Sequence, residues 1–121
     1  SRNAYETLGD SSRVTAATYL LAKTSRDWGL DEDDASILEQ SRTYFEQASE
    51  AYARSGENLG LAQVYLDSGP VLKALGAWEA LVHGYSDAGK RFADAGFDDQ
   101  AQECETLYQE ALAARRSATN T

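Results

Sequence analysis

His83 is the only histidine of the chain, so any Ser-His-Asp or Cys-His scheme of nucleophilic catalysis has to run through it. Glu79 lies four residues earlier, one helical turn away, where its carboxylate could orient the imidazole. The same spacing describes an ordinary exposed helix pair worth about 0.3 kcal/mol, and that plainer reading is the stronger one. Neither Glu-x-x-His nor His-Glu-x-x-His occurs, so di-iron and zinc-protease chemistry lack their ligands. The acidic run Asp31-Glu32-Asp33-Asp34 suggests calcium, but an EF-hand loop needs Gly at its sixth position and Glu at its twelfth. Counting from Asp27 gives Glu32 and Leu38, and counting from Asp31 gives Ser36 and Arg42. The run reads instead as a helix start that complements the helix dipole. Cys104, the only cysteine, excludes an internal disulfide and a Cys-based zinc cluster. It falls on an apolar stripe with Ala101, Tyr108 and Ala111, which predicts a buried, inert thiol and fits a reducing, cytoplasmic setting. No catalytic residue, metal site or cofactor is expected.

Charge narrows the partners further. Eleven basic residues stand against 20 acidic ones among 121, a net charge of -9. That field repels nucleic-acid backbones and anionic membrane surfaces. Membrane insertion is not expected, because the longest apolar runs are three or four residues and a span needs roughly 20. The chain opens at Ser1 and contains no Met, which suggests a processed chain or an excised piece.

These residues must be positioned by helices. The chain has one Pro and no run of β-branched residues, and its periodicity is helical throughout. Start and stop signals divide it into five helices joined by short turns, which implies antiparallel neighbours. The first is expected over 12–28, with Val14, Ala17, Leu21 and Trp28 inward and a left-handed Gly29 ending it. Trp28, beside that turn, is the tryptophan that could instead face a partner. Asp31 caps a second helix to about 55, and Asn58 a third to about 68, stopped by Gly56 and Gly69 respectively. Pro70 opens a long fourth helix over 70–95, striped by Val71, Leu75, Trp78, Val82, Tyr85 and Phe92. Gly96 ends it, and Asp98 caps the last.

Shifted on itself by 40 residues, the chain matches. Leu38 meets Trp78, Phe45 meets Tyr85, Ala48 meets Ala88, Tyr52 meets Phe92, Ala53 meets Ala93 and Gly56 meets Gly96. Tyr5-x-x-x-Gly9 repeats the spacing of Tyr52-x-x-x-Gly56 and Phe92-x-x-x-Gly96. Such a unit is a two-helix hairpin that buries its apolar face only by stacking on the next copy. The expected organisation is one helical-repeat domain over 1–121, made of a partial hairpin over 1–29 and hairpins over 31–69 and 70–117.

At these residues the chain resembles a tetratricopeptide-repeat (TPR) array. Trp78-x-x-Leu81 followed by Tyr85 is similar to the family's Trp-x-x-Leu-Gly-x-x-Tyr pattern, with Val82 in place of the small Gly, and Ala101 and Pro70 resemble its small and closing residues. Glu105 stands where the second helix should carry a Phe. Ala51-Tyr52-Ala53-x-x-Gly56 is similar to the stacked hairpins of soluble NSF-attachment (SNAP) proteins. The resemblance implies an all-α fold of about five helices, stacked as a right-handed array of antiparallel hairpins. It also implies that the first helix of each hairpin lines a concave groove. Carried over from Trp78, that face holds Glu79, His83, Ser86 and Asp87, and the 40-residue offset adds Glu39, Thr43, Glu46 and Gln47. None of the eight is basic. The expected function is non-enzymatic: an adaptor that binds a basic or hydrogen-bond-donating segment of another protein through an acidic groove. These residues read equally well as solvated faces of an acidic protein. A compact helical sensory domain closing around a small apolar ligand between Trp78, Tyr85 and Tyr108 is the alternative. The truncated first hairpin should leave an apolar open end, which a homodimer or larger assembly would cover.

Overall fold

In the computed structural model, residues 2–120 are described, with side chains from Ser11 to Asn120. The protein is all-α: α1 (Arg2–Glu32), α2 (Ala35–Ser55), α3 (Asn58–Ala74), α4 (Trp78–Asp94) and α5 (Asp98–Thr119), with no strand among the described residues. Each helix packs on the next in sequence, and α1 also touches α3. The pairs are antiparallel: Gly29 meets Leu38 while Ser41 meets Ala22, and Glu79 at the start of α4 meets Arg115 near the end of α5. No helix among the described residues is long and apolar enough to cross a membrane.

Three of the four turns share one device. At Gly56, Gly76 and Gly96 the backbone turns left-handed, with φ of 72°, 70° and 84°. At Gly76 the following amide of Ala77 donates to Leu72 at 2.8 Å and the glycine amide donates to Lys73 at 3.1 Å, the paired bonds of a Schellman motif. The same two bonds recur at the other two glycines. The motif returns every 20 residues, one helix and its turn, so the 40-residue offset is two such steps.

Two of the six equivalences are buried on both sides, Phe45 with Tyr85 and Ala48 with Ala88, whereas buried Leu38 meets half-buried Trp78, half-buried Tyr52 meets buried Phe92, and Ala53 and Ala93 are both exposed. Leu38, Phe45 and Ala48 of α2 are buried, as are Tyr85, Ala88 and Phe92 of α4. The offset also pairs buried Val64 with Cys104, Val71 with Ala111 and Ala22 with Ala62, matches that bulk alone did not reveal. The core falls into clusters that share α3. One joins Ala22 of α1 and Leu38, Phe45 and Ala48 of α2 to Val64 and Val71 of α3. Two others join α3, α4 and α5 around Phe92 with Cys104, and around Leu72 with Leu81.

Several expectations are corrected, among them two caps: Glu57 and Phe97, rather than Asn58 and Asp98, stand at the cap positions of α3 and α5. The first helix does not end at Gly29, which is buried in α1 where an added Cβ would lie 2.8 Å from Leu38 Cδ2. The chain turns at Asp33 (φ 51°), and Asp34 rather than Asp31 caps α2. Gly69 and Pro70 lie inside α3, so Gly69 does not stop that helix, and the single helix expected over 70–95 is two, divided at Gly76. Pro70 lacks the amide that would bond the Leu66 carbonyl, and the helix continues through it at an exposed position. The inward face of α1 is also different. Val14, Leu21 and Trp28 are 64%, 49% and 57% exposed, and Ala17 is exposed too. Small residues decide that face: with Ala22 and Gly29 inward, α1 approaches α2 closely enough for Ser41 Oγ to donate to the Ala22 carbonyl at 2.7 Å. The Tyr5-x-x-x-Gly9 copy lies outside the residues whose side chains are described.

Candidate functional site

α2 and α4 both run antiparallel to α3, and a groove of about 150 Å³ opens between them with α3 as its floor. Arg42, Phe45, Glu46 and Ser49 form one wall, an i, i+3, i+4, i+7 stripe of α2. Ala80, His83 and Gly84 form the other, and the small size of Ala80 and Gly84 keeps the groove open. Val64, Tyr65, Ser68 and Leu72 make the floor. Val64 is 1% exposed, so the floor is fixed by the core, whereas His83 and Glu46 stand exposed at the rim. Arg42 Nε donates to Glu46 at 3.2 Å. Burial, followed by the nearby Asp87 carboxylate, pushes the Tyr65 hydroxyl above its ordinary value.

Of the eight residues expected on one concave face, the structure brings Glu46 and His83 into this groove. Glu39, Thr43 and Gln47 are exposed on α2 away from it, and the Thr43 hydroxyl donates back to the Glu39 carbonyl at 3.1 Å. Glu79 is not the partner of His83: both its oxygens accept from Arg115 Nη1 of α5 at 3.1 Å. Asp87 accepts from Arg91 Nε at 2.6 Å, and Arg91 reaches Asn58 of α3 at 2.7 Å. Ser86 is half-buried and does not line the groove. The reason is geometric. Positions 40 apart present the same face of successive repeats, whereas a groove between two helices is walled by opposite flanks of each. The spacing of Arg42, Phe45, Glu46 and Ser49 was the available signal.

Two further clusters frame the site. On the other side of α3, Tyr19 of α1 donates to the Asp67 carboxylate, Gln63 donates to the same carboxylate at 3.1 Å, and Arg26 donates to the Asp67 carbonyl at 3.1 Å. This knot ties α1 to α3. Burial, then the hydrogen bond to Asp67, pushes the Tyr19 hydroxyl far up. Between α4 and α5, the cavity lined by Trp78, Tyr85 and Ala111 holds about 50 Å³, and Tyr108 does not line it. Enclosed ligand sites run to roughly 300 Å³ or more. No group of three or more His, Cys, Asp and Glu side chains converges among the described residues. Set against known protein families, curated proteins and solved structures, the chain finds no match.

Proposed function

We propose that the protein is a non-enzymatic interaction module that takes a segment of another protein along the groove between α2 and α4. The observation that carries this reading is the groove itself: an apolar floor of Phe45, Val64 and Leu72 under a rim of exposed Glu46 and His83. About 150 Å³ accommodates one or two side chains of a docking segment and not a whole small-molecule ligand. The expected segment places an apolar side chain on the floor and a basic or hydrogen-bond-donating group beside Glu46, favoured by the net charge of -9. The acidic character is narrower than the sequence suggested, since Arg42, Arg91 and Arg115 already engage Glu46, Asp87 and Glu79.

The test is a displayed peptide library selected on the folded protein. Binders should carry an apolar residue near a Lys or Arg. Ala80→Trp, which fills the groove from the rim, should abolish their binding, and Glu46→Gln should weaken basic binders about ten-fold, the ~1.4 kcal/mol scale of a charge-assisted hydrogen bond. Binders that ignore both substitutions would remove the groove from the account.

A further inference from the structure

Among the described residues, the outward face of α1 exposes several large apolar side chains. Val14, Leu20, Leu21 and Trp28 are 64%, 62%, 49% and 57% exposed. Val14, Ala17, Leu21, Thr24 and Trp28 follow one another at intervals of three and four residues, the spacing of a helix–helix seam. Roughly 500 Å² of apolar side chain therefore lies open along a single helix, as much as the largest patch of an ordinary monomer.

We propose that this face is a two-fold interface with a second copy of the chain, the two α1 helices lying antiparallel with Leu20 and Leu21 near the axis. A two-fold contact sets each residue against its mirror position, so the face has to match itself read backwards. This one does. Counting out from Leu21, the next positions are small on both sides, Ala17 and Thr24, and the ones beyond are apolar, Val14 and Trp28. The leucines of one copy settle over the small residues of the other, and the compact Val14 lies beside the broad Trp28.

Charge fixes the orientation. The exposed acidic residues Asp27, Asp31 and Glu32 gather at the C-terminal end of the seam, and antiparallel alignment sets the two acidic ends apart. Parallel alignment would instead set exposed Asp27, Asp31 and Glu32 against their own counterparts, on chains already at -9. The area is sufficient: two such faces hide roughly 1,000 Å², the lower bound for a specific interface, and a Kd in the micromolar range is expected.

Sedimentation velocity over about 1–200 µM should show a reversible monomer–dimer equilibrium, since a micromolar Kd is crossed in that range. Leu21→Glu, at an exposed position, should keep the helical circular dichroism and weaken self-association by at least about 100-fold. Cysteine scanning reads the orientation. Under mild oxidation Leu21→Cys should link to itself across the axis. Val14→Cys should not link to itself, but should link to Trp28→Cys when the two chains are mixed. Any of three results would overturn the proposal: a monomer throughout the range, Leu21→Glu sedimenting like the unaltered chain, or Val14→Cys linking to itself as readily as Leu21→Cys.

Discussion

Gly69 sits inside α3 against the ring of Tyr85, and a Cβ built there would fall on the phenolic hydroxyl, 2.6 Å from Cζ and 2.9 Å from Cε1. Tyr85 is 7% exposed, so the ring has no free direction in which to swing. On an open helix Gly→Ala would stabilise by about 1 kcal/mol. Here overpacking of about 1–3 kcal/mol opposes it and wins. Gly69→Ala should therefore lower stability by about 1 kcal/mol in urea melts, and the loss should persist in Tyr85→Phe, where Cζ remains in place. An unchanged or raised midpoint would show that the ring yields. Burial also acts on tyrosine ionisation. The hydroxyls of Tyr19, Tyr52, Tyr65 and Tyr85 are all pushed above their ordinary value of 10.0, chiefly by desolvation. A raised folded-state pKa means that the native protein keeps a proton that the unfolded chain releases. The stabilisation is whole below pH 10, the unfolded value, and is lost as pH climbs above it. Thermal midpoints should be flat from neutral pH to about 10 and then fall. Tyr19→Phe should make that fall shallower, because Tyr19 carries the largest shift.

At the scale of the element, Asp34 decides where α2 begins. Its side chain accepts from the Ser36 and Ile37 amides at 2.9 and 3.3 Å, two donors that would otherwise lack partners. Those bonds, Ile37 first, hold its carboxyl below the ordinary 3.8. A lowered folded-state pKa contributes stability above the unfolded value and loses it as pH falls. Asp34→Ala should lower Tm at neutral pH. Asp34→Asn, also a good cap, should keep most of it and show a weaker decline below about pH 4, and equal acid sensitivity in the two chains would place the effect elsewhere. How much of this was legible in the sequence depends on what kind of residue carried the signal. Gly56 and Gly96 ended helices as expected, and the 40-residue match found the shared core of α2 and α4, because both signals depend on local chemistry repeated. Gly69-Pro70 read as a break, whereas the chain turns at Gly76, where the Ala77 amide closes the motif on Leu72. The face of α1 was read from its large residues, whereas Ala22 and Gly29 set the approach to α2. Glu46 and His83 line the groove, while its other lining residues Arg42, Phe45 and Gly84 were not read together with them, because a groove joins unlike flanks that a repeat offset does not pair.

The whole molecule is held together through α3. Its Val64 and Val71 belong to the cluster formed with α1 and α2, and its Ala62, Leu66 and Leu72 belong to the clusters formed with α4 and α5. In a stacked array the stability of each helix depends mainly on its neighbours, so the end helices, covered on fewer sides, open first. α5 illustrates this: Cys104 and Ala111 are its buried residues. Native-state hydrogen exchange, run on Leu21→Glu chains so that self-association adds no protection, should rank α3 slowest, α2 and α4 next, and α1 and the last two turns of α5 fastest. Substitution separates a shared core from two independent ones. Val64 is 1% exposed, and Val64→Ala should cost about 2 kcal/mol of transfer and cavity energy. If α3 couples the array, that loss should appear in the exchange of α4 as well as of α1 and α2, although Val64 lies in the first cluster. Ala111→Gly, at the far end, should speed exchange in α5 and leave α1 unchanged. Protection in α4 that survives Val64→Ala intact would mean that the two sides of α3 unfold separately.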